Sequence, residues 1–243
     1  TLVPIADTHA HLDMLADPAL AIARAGVHDV EFIEAMVDPL SERGLDTYEL
    51  LDDWILRANV LIRHMSTRIC GQGWNRVPKI RVSVGVHPHE ASHFDDAIMQ
   101  VISDAACDER TSAIGEIGLD YHYDFSPRDV QKVVFAEQLR LACDLGLPAV
   151  LHIREAFDDA WEILEKVGYP SVGCVLHCYT SDAAEVARWV DAGCYIAFGG
   201  ALTFKSSDDI RAAARKVPLD RLLTETDSPY MAPVPFRGQN CEP

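Results

Sequence analysis

The sequence predicts an α/β fold, a (β/α)8 TIM barrel, on three observations. Eight strand-like runs recur along 243 residues, most of them near-continuous apolar stretches, as strands buried on both faces require. Amphipathic stretches of helical length separate them, and alternating β and α units imply a parallel sheet with right-handed crossovers. Six residues of metal-ligand type, His9, His11, Glu116, His152, His177 and Asp227, fall at the ends of five of these runs. One rim of a barrel gives that recurrence a common cause.

In chain order the strand-like runs are residues 2–9, 30–37, 80–87, 112–117, 148–153, 173–178, 194–199 and 222–227. The clearest helix begins at Ser126, a capping type, with Pro127 preorganised at the first helical position and Gly146 as its stop. Further helices span about 154–167, stopped by Gly168, and 181–192, stopped by Gly193. The long stretch 38–79 holds one strong helix, roughly 45–65, and a Gly-, Asn- and Pro-bearing loop at 71–78. It reads as an enlarged second helical unit. After 222–227 the barrel pattern calls for a loop and an eighth helix, and Asn240 followed by Pro243 reads as a helix start. The final helix is therefore expected to be missing from the chain. The whole, 1–243, reads as a single domain.

Composition narrows the class. The chain is 49% hydrophobic and 24% charged, as a soluble globular protein is. No apolar run approaches the roughly 20 residues that cross a bilayer. No basic-then-apolar leader precedes Thr1, so the expected location is cytoplasmic, with no membrane and no obligate protein partner. Seven cysteines imply no disulfide framework in a chain of this length. Cys174 and Cys178 read as small core residues rather than zinc ligands. The net charge of −17 argues against a broad duplex-binding surface, which is usually basic. A small cationic site holding metal ions remains compatible with it, since charges beyond a Debye length of roughly 8 Å are screened.

His9 and His11 are two apart, so in an extended segment they share a face and can chelate one ion. Glu116 lies among apolar neighbours, and a buried carboxylate is costly unless paired or metal-bound. A structural salt bridge with Arg154 or another cation is its other reading. His152 and His177 each end an apolar run, and two such histidines on adjacent strands point to ligands. Asp227 can bind a metal and accept a proton from water; Glu225, two residues earlier, is an open alternative as ligand. His87, in a His-x-His turn with His89, is expected to touch substrate. His28, His64, His93 and His122 lack the strand-end setting and read as surface or loop residues. No Walker loop, dinucleotide fingerprint or nucleophile elbow is present.

Taken together, DTHAHLD (7–13), GVHPHE (85–90), GEIGLDYHYD (115–124), LHIREA (151–156), LHCYTS (176–181) and ETDSPYMAP (225–233) resemble the TatD family of metal-dependent deoxyribonucleases, within the amidohydrolase-like barrels. The resemblance implies a two-metal site. His9, His11, Glu116 and Asp227 would hold one ion, and Glu116, His152 and His177 the other. It favours Asp227 over Glu225. It implies hydrolysis of phosphodiester bonds at DNA ends, from 3′ to 5′, with Mg²⁺ support. Two departures stand out: the family tail reads like RGKRNEP where this chain has RGQNCEP (237–243), and the 38–79 stretch is longer than usual.

The expected mechanism has Asp227 and Glu116 as catalytic residues, with Asp227 the base, and Arg154, His87 and Arg237 on phosphate oxygens. Four imidazoles favour Zn²⁺, Fe²⁺, Ni²⁺ or Mn²⁺ over Mg²⁺, which prefers oxygen. The rival enzyme reading is a small-molecule amidohydrolase, lactonase or phosphotriesterase-like hydrolase on the same barrel. Many of these bridge their metals with a carboxylated lysine, and no lysine ends the fourth or fifth run here. A non-catalytic scaffold barrel predicts an incomplete ligand set, and the set is complete.

Overall fold

The computed structural model describes residues 5–66 and 76–243. Eight parallel strands form one sheet in sequential order: β1 (Ile5–Ala10), β2 (Val30–Val37), β3 (Lys79–Val84), β4 (Thr111–Asp120), β5 (Ala149–Arg154), β6 (Cys174–Leu176), β7 (Tyr195–Phe198) and β8 (Leu222–Thr224). Seven α-helices alternate with them among the described residues: α1 (Pro18–Val27), α2 (Asp46–Ser66), α3 (Asp96–Ala105), α4 (Arg128–Leu145), α5 (Phe157–Val167), α6 (Ala183–Asp191) and α7 (Asp208–Ala214). This is the predicted TIM barrel. No helix among the described residues is long and apolar enough to cross a membrane.

The seam between β8 and β1 is closed differently from the rest. Neighbouring strands elsewhere share ladders, whereas β1 and the chain after β8 share one bridge, Ala10 to Ser228. Side chains supply the remaining closure. Thr224 Oγ1 donates to Ala6 O at 2.6 Å, and Thr8 Oγ1 donates to Thr224 O at 3.1 Å. Asp7 Oδ1 accepts from Thr226 N at 2.9 Å, and its Oδ2 accepts from Thr226 Oγ1 at 2.6 Å. Backbone bonds from Asp227 N to His9 O and from His11 N to Ser228 O finish the seam. The same bonds hold three of the six predicted ligands side by side.

Packing between sheet and helices supplies the stability. Trp189, Phe135, Leu139, Ile117, Leu119 and Leu151 are fully buried, each contributing about 1.5–3 kcal/mol relative to exposure. The buried carboxylate of β2, Glu34, accepts from Ser83 Oγ at 2.7 Å and Ser112 Oγ at 2.6 Å. Buried charge is thereby compensated by hydrogen bonds, as it must be.

Helix boundaries correct the sequence reading at three places. Ser126 does not cap α4; Pro127 stands at that position with no side-chain cap. The Ser126 hydroxyl instead accepts from Ser92 N and donates to His89 O, so a tertiary contact takes the group that local capping would have used. α5 starts at Phe157, because Arg154 stays in β5, where its carbonyl accepts from Tyr121 N at 2.9 Å. α6 is capped by Asp182, which accepts from Ala184 N and Glu185 N. The glycine stops hold: Gly146 closes α4 in the left-handed conformation, at φ 65°. The predicted 45–65 helix is α2, and the loop at 71–78 lies outside the described residues up to position 75. No helix follows β8 among residues 225–243. Glu242 instead accepts twice from Arg24 of α1, at 2.7 and 2.9 Å.

Candidate metal centre

The C-terminal ends of β1, β4, β5 and β6 and the turn after β8 converge on Glu116. Two glycines of its strand make the approach possible. A Cβ on Gly115 would sit 2.6 Å from Val150 Cβ. Gly118 has φ 147°, and a Cβ there would collide with the His152 backbone. Only glycine lets β4 press this closely on β5.

Glu116 is 7% exposed and ringed by imidazoles. Its Oε1 lies 2.8 Å from His152 Nδ1, 2.8 Å from His177 Nε2 and 3.6 Å from His87 Nε2. Its Oε2 lies 3.3 Å from His9 Nε2 and 3.8 Å from His11 Nε2. Asp227 Oδ1 stands 3.9 Å from His9 Nε2 and 3.7 Å from His11 Nε2. All six predicted ligands therefore meet in one cluster. No arginine pairs with Glu116 among the described residues, so the salt-bridge reading with Arg154 fails.

Electrostatics follow from this crowding. Burial pushes the Glu116 carboxyl up, but His177, His9 and His87 outweigh it and hold it well below the usual range. Burial likewise opposes ionisation of Asp227, and the hydrogen bond and charge of its histidine neighbours bring it below its ordinary value. His9 goes the other way: burial, reinforced by His177, lowers it. His177 is raised well above its ordinary value, because Glu116 and Glu225 outweigh burial.

A second ring of carboxylates backs the histidines of β5 and β6. His152 Nε2 lies 2.9 Å from Asp120 Oδ2, which also meets His89 Nε2 at 3.0 Å. Asp120 is itself fixed by the backbone N–H groups of His122 and Tyr123. His177 Nδ1 lies 3.6 Å from Glu225 Oε2, and Glu225 Oε1 accepts from Cys178 N at 2.6 Å. Glu225 is thus turned toward His177. A carboxylate behind a histidine fixes its tautomer and raises its basicity as a ligand. The sequence assigns no role to Asp120 or His89, and offers Glu225 only as an alternative ligand to Asp227. Asp120 had a signal, since i and i+4 share a strand face and Glu116 is four residues earlier.

The donor set fits divalent ions. Neither ring nitrogen of His9 has a hydrogen bond, although the residue is fully buried, and orphaned buried polar atoms cost about 1–3 kcal/mol each. His9, His11 and Glu116 present ligand atoms mutually within 4.8 Å, as do His87, Glu116 and His152, and His9, His177 and Glu225. His87 differs in one respect. Its Nδ1 accepts from His89 N at 3.1 Å, so a neutral ring carries its proton on Nε2 and offers a donor, not a lone pair. Burial lowers its pKa and keeps it neutral.

The cluster floors a cleft of about 580 Å³ whose walls include Asp13, Asp38, Tyr123, Arg154 and Tyr230. Arg154 is the one arginine or lysine lining it among the described residues. Arg237 lies outside the cleft, its guanidinium 4.3 Å above the Phe204 ring. His28, His64, His93 and His122 are exposed. Cys174 is buried in the core as expected, while Cys178 is only half-buried, at φ 44° just past β6.

A parallel barrel with imidazoles gathered about one buried carboxylate at its C-terminal rim defines the class: a metal-dependent hydrolase barrel. Within that class the chain belongs to the TatD-related DNase family, whose model matches residues 6–243. It is similar to the uncharacterized metal-dependent hydrolase YabD of Bacillus subtilis, at 40% identity over 164 residues, 68% of this chain and 64% of that protein. It is also similar to the 3′-5′ ssDNA/RNA exonuclease TatD of Klebsiella pneumoniae, at 36% identity over 152 residues, 62% of this chain and 58% of that one. Both matches span less than two thirds of the relative. The crystal structure of YJJV, a TatD homolog from Escherichia coli K12, superposes with a TM-score of 0.81 at 27% identity, covering 98% of this chain and 85% of that one.

Proposed function

We propose that this protein hydrolyses phosphodiester bonds at the ends of DNA, from 3′ to 5′. The observation that carries the reading is Glu116, one carboxylate within 3.8 Å of imidazoles from four strands. The exonuclease name of the Klebsiella relative supports the substrate class. His9, His11, Glu116 and Asp227 would hold one divalent ion, and Glu116, His152 and His177 a second. Bound there, such ions supply Lewis-acid polarisation of a phosphoryl oxygen and a water of lowered pKa.

The chain's own groups do the rest. Asp227, kept ionised by its histidine neighbours, accepts the proton of the attacking water. Arg154 forms no ion pair among the described residues and presents its fork of donors to phosphate oxygens. His87 donates from Nε2 to another oxygen. Arg237 does not line the cleft and has no part in this arrangement.

The test is metal-depleted protein, reloaded with Zn²⁺, Mn²⁺, Mg²⁺, Ni²⁺ or Fe²⁺ singly, on end-labelled single-stranded DNA. Glu116→Ala is the blank. Shortening from the 3′ end that requires metal and Glu116 is the expected result. A cleft with one arginine or lysine among the described residues, in a chain of net charge −17, favours a second reading, a small-molecule hydrolase. Fast turnover of a lactone or phosphotriester with none on DNA would establish it instead.

A further inference from the structure

Two aromatic side chains at the rim do nothing for the core. Phe125 is 68% exposed and Tyr123 50% exposed, both in the segment that follows β4. They are held parallel, ring centroids 5.3 Å apart at 9°. The Arg154 guanidinium lies 4.9 Å from the Tyr123 ring centroid. His89 meets Phe125 edge-on at 4.8 Å and shares Asp120 with His152, so the pair adjoins the imidazole cluster.

We infer that Tyr123 and Phe125 form a stacking platform for the base of the nucleotide flanking the phosphate under attack. The inference rests on the phosphodiesterase reading above. Charge selects the occupant. The cleft is lined by Asp13, Asp38, Glu90, Glu116 and Asp227, with Arg154 its one arginine or lysine among the described residues, so an anionic ligand places its phosphate at Arg154 and the histidines of the centre. The rest of that ligand must bind without charge, and a planar ring on an exposed aromatic face does so. Arg154 touches Tyr123 and lines the cleft, which puts phosphate contact and stacking surface side by side. Stacking accepts any base, since every base has a π-face.

The test compares Phe125→Ala and Phe125→Trp with the parent protein. Phe125 is too exposed for its truncation to unsettle the fold. The substrate is a short oligothymidylate, intact or with an abasic terminal nucleotide. Phe125→Ala should raise KM on the intact strand by roughly 5- to 150-fold, leave KM on the abasic strand unchanged, and be rescued by Phe125→Trp. A parallel measurement follows 2-aminopurine fluorescence of an end-labelled oligonucleotide on metal-depleted protein, which turns nothing over. Quenching by the parent but not by Phe125→Ala, without any hydrolysis after metal reloading, would keep the platform and sink the nuclease reading. Hydrolysis with unchanged KM in Phe125→Ala and no quenching would keep the nuclease and sink the platform. An equal loss on intact and abasic strands, or neither cleavage nor quenching, would also overturn the platform.

Discussion

On the β5–β6 side of Glu116 the imidazoles are clamped, and on the β1–β8 side they stand apart. His152 and His177 each lie 2.8 Å from Glu116, with Asp120 and Glu225 behind them. His9, His11 and Asp227 keep separations of 3.3–3.9 Å among their facing atoms and Glu116, and among the described residues no carboxylate hydrogen-bonds a ring nitrogen of His9. One side is preorganised by hydrogen bonds and holds protons tightly. The other is preorganised by backbone, through the seam that fixes Asp227 N on His9 O. Two histidine sets around one carboxylate can thus be built by different means. Their responses to mutation and pH should then differ.

Glu116 belongs to both sides, so Glu116→Ala should have the largest effect. We expect a loss of activity beyond the roughly 10–100-fold typical of outer-shell changes, with metal content reduced on both sides, read by elemental analysis. Asp227→Asn comes next, with a loss in turnover on the order of 10²–10⁴-fold and an unchanged melting curve of the metal-free protein. Full activity in that variant would remove Asp227 as the base. Asp120→Asn should weaken metal binding by about 10–100-fold, confined to the ion on the β5–β6 side. An isotherm unchanged by that substitution would mean the clamp is idle, and the contrast between the sides would lapse.

An effect of another kind, on stability and not on activity, concerns the seam. Burial pushes the Asp7 carboxyl from 3.8 up to about 7, partly countered by its bonds from Thr226. The folded metal-free protein therefore keeps a proton that the unfolded chain releases. Its stability falls as pH rises from about 4 to about 7, by about 4 kcal/mol from this group alone. Asp7→Asn can keep both bonds to Thr226, with its amide donating to the hydroxyl, and should flatten that slope. Urea unfolding at pH 4.5 and 7.5 measures it; equal slopes in parent and variant would count against a protonated Asp7.

Sequence and structure agree where period and burial alone decide. The eight runs became eight strands because a parallel barrel buries both faces, and apolar runs such as 149–153 have no other use. The six ligand candidates were legible because each breaks an apolar run at its end. What was hidden depends on tertiary partners. Ser126 looks like a cap but spends its hydroxyl on Ser92 and His89. Asp120 and Glu225 become supports only when β4 meets β5 and the turn after β8 meets His177. Arg237 lies in a matching tail, yet its side chain rests on Phe204, a contact no local pattern announces.

The central claim is that Glu116 joins two metal sites. Anomalous diffraction from crystals loaded with Mn²⁺ or Zn²⁺ tests it most directly. Two peaks roughly 3.5–4 Å apart, each beside one Glu116 oxygen, one facing His9 and His11 and the other His152 and His177, are the predicted result. A single peak, or two peaks with Glu116 bound to neither or only one, would contradict it.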